Sequence, residues 1–146
     1  MIDHLHRGMT HTAESLAALS DRELDALVAE LVFGKIVIRS SGDETHESFV
    51  REDGKLRQPL RYSTTWVGMG DMIERMLQFG LSVETYSINS RSFSSRECVI
   101  EDPQRGTGTD YEKSHLPYGF GHADSLPKAV AIAAILAIQS INKPQP

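Results

Sequence analysis

Apolar residues recur along the chain in blocks whose spacing alternates between helical and strand-like. Leu24, Leu27, Val28 and Leu31 stand at i, i+3, i+4 and i+7, which is one face of a helix. Ser20 and Glu23 precede this stripe at the spacing of a capping box, in which each side chain satisfies a backbone donor at the other's position. Gly34 is the expected stop, because glycine takes the left-handed conformation without a Cβ penalty. The run "LAALS" before the cap reads as a short preceding helix. "KIVIRS", from Lys35, is rich in β-branched residues and predicts a strand. Turn chemistry in "SGDETH" separates it from a returning strand in "ESFVRED", and "DGK" at Asp53 is another turn.

A second helix is predicted from about Thr64 to Phe79, with Met69, Ile73, Met76 and Leu77 as its apolar face and Gly80 as its stop. Gly68 and Gly70 lie inside it. Each costs about 1 kcal/mol relative to alanine, so close packing is the expected reason for them. "LSVETYSI", from Leu81, alternates: Leu81, Val83, Thr85 and Ser87 share one face, Tyr86 and Ile88 the other. "RECVIED" is the strand that pairs with it. Residues 103–124 read as a long Gly-rich loop, of a length that is usually functional or disordered. The last helix begins at about Ser125, carries Pro127 in its first turn, ends near Ile141 and is apolar nearly all round. Helix, hairpin, helix, hairpin, helix is the order of an α+β layered domain: an αβα sandwich, with an antiparallel sheet of about four strands and three main helices. Residues 1–12 read as a polar flexible tail and 13–142 as a single domain.

Composition narrows the functional classes. The chain has 146 residues, enough to bury a core without staples. Its net charge of -5 and scattered basic residues argue against a nucleic-acid groove. Cys98 is the only cysteine, so no internal disulfide can form, which fits a reducing compartment. The N-terminus has no basic-then-apolar leader. The longest apolar run, "AVAIAAILAI", is too short for a membrane span. The expectation is a soluble protein of the cytoplasm with no nucleic-acid polymer and no membrane as partner.

"DRELDALVAELVFG", "PLRYSTTWVGMGDMIERM" and "ADSLPKAVAIAAILAI", in that order, resemble the small phage proteins of the phage ABA sandwich domain family. In that family a Leu/Val-rich first helix leads to a proline-led "YST" segment that opens the second helix, and an Ala-rich helix closes the domain. The matched stretches cover about half of the chain, and the middle one is the most specific. The segment from Lys35 to Lys55 reads as an expansion, and residues 103–121 have no counterpart. The resemblance implies the fold and a phage or prophage origin, hence a bacterial host's cytoplasm. It implies no chemistry.

Two stretches carry the candidate ligand site. In "RYSTTW", Ser63 or Thr64 is the expected cap of the second helix, and free N–H groups there can receive an anion. Arg61 can clamp a phosphate or carboxylate, and Tyr62 and Trp66 can stack a base. The plainer reading makes Ser63 a cap, Tyr62 a staple and Trp66 core. In the glycine-rich stretch, Tyr118, Phe120 and His122 can fold over a ligand, and Lys128 can add positive charge; the plainer reading is a solvated connection. His4, His6 and His11 have loose metal-like spacing without a fourth ligand, so no metal or cofactor is expected. Cys98 reads as a small buried hydrophobe. No nucleophile, base and orienting group stand together. The sequence therefore favours a non-enzymatic phage protein that binds a nucleotide-type small molecule, by analogy a sponge for a host immune signal. Met69, Met72 and Met76 suggest a homo-oligomer. The alternatives are an accessory protein docking on a host or virion protein, and a small nucleotide hydrolase or lyase using His115 or His122.

Overall fold

The computed structural model describes residues 10–39, 47–103 and 118–142. Helix α1 (Ala13–Ala17) opens with a reciprocal cap: Ser15 N donates to Thr12 Oγ1 at 3.0 Å and Thr12 N donates to Ser15 Oγ at 2.9 Å. His11 and Thr12 were expected in the tail, but they are anchored. His11 N donates to Gln139 Oε1 at 2.7 Å and Gln139 Nε2 returns a bond to the His11 carbonyl at 2.9 Å. The rest of the predicted tail, 1–9, lies outside the described residues.

Helix α2 (Asp21–Leu27) follows a Ser20 cap, with Glu23 N donating to Ser20 Oγ at 3.2 Å. Only half of the capping box forms, because Glu23 accepts from the Ser20 hydroxyl instead of the Ser20 N–H. The helix widens into a π turn (Val28–Val32), in which Phe33 N donates to the Val28 carbonyl, and ends at Gly34 with φ +67°. Leu24, Leu27 and Val28 are buried, as their spacing requires.

Strands β1 (Ile36–Arg39), β2 (Ser48–Glu52) and β3 (Lys55–Arg57) form one antiparallel sheet in that order. Asp53 and Gly54 both have positive φ, 52° and 76°, the backbone of a type I′ hairpin turn. β3 went unread because its three residues are all exposed and show no alternation. Geometry at the turn creates that strand, not burial. Arg39 clamps Glu30 with two bonds of 3.1 Å and so ties β1 to the π turn.

Helix α3 (Trp66–Gln78) is capped by Thr65, whose hydroxyl accepts from Gly68 N at 3.0 Å. The cap is therefore neither Ser63 nor Thr64. The buried stripe is Gly68, Met72 and Met76, so the helix is turned relative to the expected face and Leu77 is exposed. Met72 and Met76 are fully buried in the chain's own core, and Met69 packs against it partly buried. A Cβ on Gly68 would lie 2.6 Å from the Arg61 carbonyl oxygen, which explains that glycine; Gly70 faces open space.

β4 (Ser82–Asn89), β5 (Ser94–Glu101) and β6 (Gly119–Ala123) form the second antiparallel sheet, with β5 in the middle. Among the described residues four α-helices accompany six strands in two three-stranded sheets, where three main helices and one sheet of about four strands were expected. β6 falls within the stretch read as loop. Glycine in a strand interior weakens its propensity, and here Gly119 and Gly121 alternate with Phe120 and His122. The glycines are needed because helix α4 (Leu126–Asn142) presses its backbone onto them: a Cβ at Gly119 would strike the Ala133 carbonyl, and one at Gly121 the Ala129 carbonyl. α4 covers the buried face of this sheet, where Cys98 and Ile100 lie, and also touches α1, α2, the π turn and α3. Ala129 through Ile135 are fully buried.

Two glycine-to-alanine changes should act in opposite directions. Gly121→Ala should lower stability by about 1–3 kcal/mol or more, the usual cost of overpacking against something rigid. Gly70→Ala should raise it by about 0.5–1 kcal/mol, since nothing obstructs the methyl group. Urea unfolding midpoints measure both.

Candidate functional site

A cleft of about 260 Å³ opens between the start of α2 and the segment that leads into α3. α2 contributes Asp21, Arg22 and Asp25; the lead-in contributes Gln58, Pro59, Arg61 and Thr64; Glu47, Ser48 and Phe49 close the side. Asp25 is 5% exposed, and its Oδ1 accepts the Ser63 N–H at 2.8 Å. Burial pushes its carboxyl above the ordinary range; the Ser63 bonds oppose this, Asp21 adds to it and Arg61 opposes it. Arg22 reaches Glu47 at 3.4 Å across the exposed rim, a pair worth little in water.

The lead-in is held from beneath. The Tyr62 ring is 2% exposed and stacks on Phe33, with centroids 4.9 Å apart and an interplanar angle of 17°. Burial raises its hydroxyl pKa, and Lys35 beside it works the other way. Lys35 in turn bonds Glu52 at 2.6 Å, which raises the lysine and lowers the glutamate. Ser63 is 1% exposed and spends its N–H on Asp25. Tyr62 and Ser63 are therefore supports below the cleft, and Arg61 and Thr64 are the two expected residues that line it.

The other expected residues lie elsewhere. Trp66 is 68% exposed at the start of α3, neither core nor cleft lining. Phe120 and His122 project from β6 on the sheet face opposite α4, with Phe120 40% exposed. The Tyr118 carbonyl accepts the Ser140 hydroxyl at 2.9 Å, and Lys128 sits in the first turn of α4. His4, His6 and His115 lie outside the described residues. Asp25 was missed. The available signal was an acid set beside the apolar stripe of α2, between Leu24 and Ala26.

Among the described residues no group of three His, Cys, Asp or Glu is placed to hold a metal ion, and no helix is long and apolar enough to cross a membrane. Cys98 is fully buried, and its thiol is pushed up to about 12 by loss of solvent.

No family model matches the chain, and no curated protein is similar to it. Its fold is similar to the crystal structure of a phage protein from Bacillus cereus ATCC 14579. The TM-score is 0.53 at 14% identity, over 88% of this chain and 98% of that one. At that identity the likeness shows the fold alone.

Asp25→Ala should cost about 1–3 kcal/mol by leaving the buried Ser63 N–H without an acceptor. Asp25→Asn keeps an acceptor and removes the charge. Because folding raises the Asp25 pKa, the fold favours the protonated acid. That contribution is complete below the unfolded carboxyl value and is lost as pH rises through the folded one. The Asn variant should therefore gain on the wild type between acid and neutral pH, as read from urea unfolding across that range. Cys98 should resist alkylation in the native state and react at the rate of unfolding. Mass spectrometry of iodoacetamide-treated protein with and without urea tests this.

Proposed function

We propose that the protein is a phage-encoded, non-enzymatic binding protein that holds a nucleotide-type small molecule in the Asp25–Arg61 cleft, acting as a sponge for a host nucleotide-derived signal. The observation that carries this reading is a single concavity with opposite polarities: an exposed guanidinium and hydroxyl, Arg61 and Thr64, facing a buried carboxylate, Asp25. Such a site can receive both the acceptors and the donors of a base or sugar. Its 260 Å³ is just under the range of about 300–1,000 Å³ common for ligand pockets, which suits one nucleoside unit. Three carboxylates against two guanidiniums disfavour a polyphosphate. The phage origin rests on the fold shared with the Bacillus cereus phage protein.

Native mass spectrometry and calorimetry with cyclic mononucleotides, cyclic dinucleotides and ADP-ribose should show a cyclic mononucleotide bound one per chain, ahead of the two larger classes. Arg61→Ala should weaken it at least about tenfold, and Trp66→Ala should not. Heat denaturation should release the ligand intact, whereas a hydrolase would release products. No binding across the panel sinks the proposal. The accessory-protein reading is favoured by a different observation, the exposure of Trp66 (68%) and Val67 (78%) side by side at the start of α3.

A further inference from the structure

The second sheet has two unlike faces. Its inner face, with Cys98 and Ile100, is sealed by α4. On its outer face the strand register aligns Tyr86, Glu97 and His122 in one row across the three strands, and Glu84, Val99 and Phe120 in the next. Glu101 lies opposite Ser82 one row further. Tyr86 is 45% exposed, its neighbour along the strand Ile88 is 44% exposed, and Phe120 is 40% exposed. The Tyr86 hydroxyl bonds the Glu84 carboxylate, and Glu101 and Glu97 add to the negative field around it.

Three carboxylates share this face with the aromatic rings, and no lysine or arginine occupies a register position on it. Arg96 belongs to the opposite face and directs its guanidinium at the carbonyls of Ile88 and Ser95. β4 is also an edge: among the described strands only β5 pairs with it, and Glu84 through Asn89 are all exposed. A long, open edge is a template for another strand. We infer that this edge and face together take up an extended lysine- or arginine-bearing polypeptide segment as a further strand beside β4.

The charges choose the occupant. A basic strand places every second side chain over the acidic face, near Glu84 and Glu97, and can lay a cation on the Tyr86 ring. A second copy paired through β4 would instead set two groups of three glutamates on one continuous face, where like charges repel. The surface shares no residue with the Asp25–Arg61 cleft, so it stands or falls separately from the proposed ligand.

The test uses fluorescence anisotropy with two labelled eight-residue peptides, one alternating lysine with threonine and the other alternating glutamate with threonine. The lysine peptide should bind at least about tenfold more tightly, and less so as salt rises. Glu84→Lys with Glu97→Lys should abolish that preference, and Glu74→Lys on α3 should leave it. N-methylation of alternate residues in the lysine peptide should also abolish binding, since it removes the edge hydrogen bonds. Equal binding of the two peptides, no binding of either, or full binding of the N-methylated peptide overturns the inference. So does a dimer in sedimentation that Tyr86→Glu disperses, which would give the edge to a second copy.

Discussion

Backbone-to-backbone contact between β6 and α4 is the constraint on which the packing depends. Gly119 and Gly121 let the strand approach the carbonyls of Ala133 and Ala129 more closely than any side chain would allow. Dispersion falls off steeply with separation, so this approach determines whether the alanine-rich stripe of α4 makes contacts at all. With the helix seated there, Val130, Ile132 and Ile135 are completely buried, although the chain has few large aromatics to fill space. Small residues on one side and branched ones on the other give the interior its density.

The same contact explains what was legible in the sequence and what was not. Helical spacing, with stops at Gly34 and Gly80, announced α2 and α3, because local rules decide those positions. Alternation announced β4 and its sidedness. β6 was hidden because its glycines look like loop chemistry until the helix that needs them is in place. β3 was hidden because an I′ turn holds it and no core does. The rotation of α3 was hidden as well. Met72 beats Leu77 for the interior through the placement of Gly68 against Tyr62, which is a tertiary fact.

The cleft has a similar history. Arg61 and Thr64 stood out as polar residues before a helix. Asp25 did not, since nothing local says that a helical aspartate will meet the Ser63 N–H 38 positions later. That bond draws the lead-in of α3 onto α2, and Tyr62 on Phe33 keeps it there. Burial of the carboxylate is the energetic cost of having it in the cleft at all, and the backbone donor offsets part of that cost.

The position of α4 in chain order bears on how the molecule is made. The helix follows, in sequence, every element it packs against. A ribosome adding about 5–20 residues per second delivers the β2–β3 hairpin early, and that hairpin has only local pairings to make. The inner face of β4–β5–β6 has no such option. Its cysteine, isoleucine and glycine positions have no lid until residues 126–142 follow. Until α4 is made the interior is incomplete on two counts: that inner face is bare, and so are the sides of α1, α2, the π turn and α3 that the helix goes on to cover. The interval before α4 emerges is when a chaperone would have surface to hold.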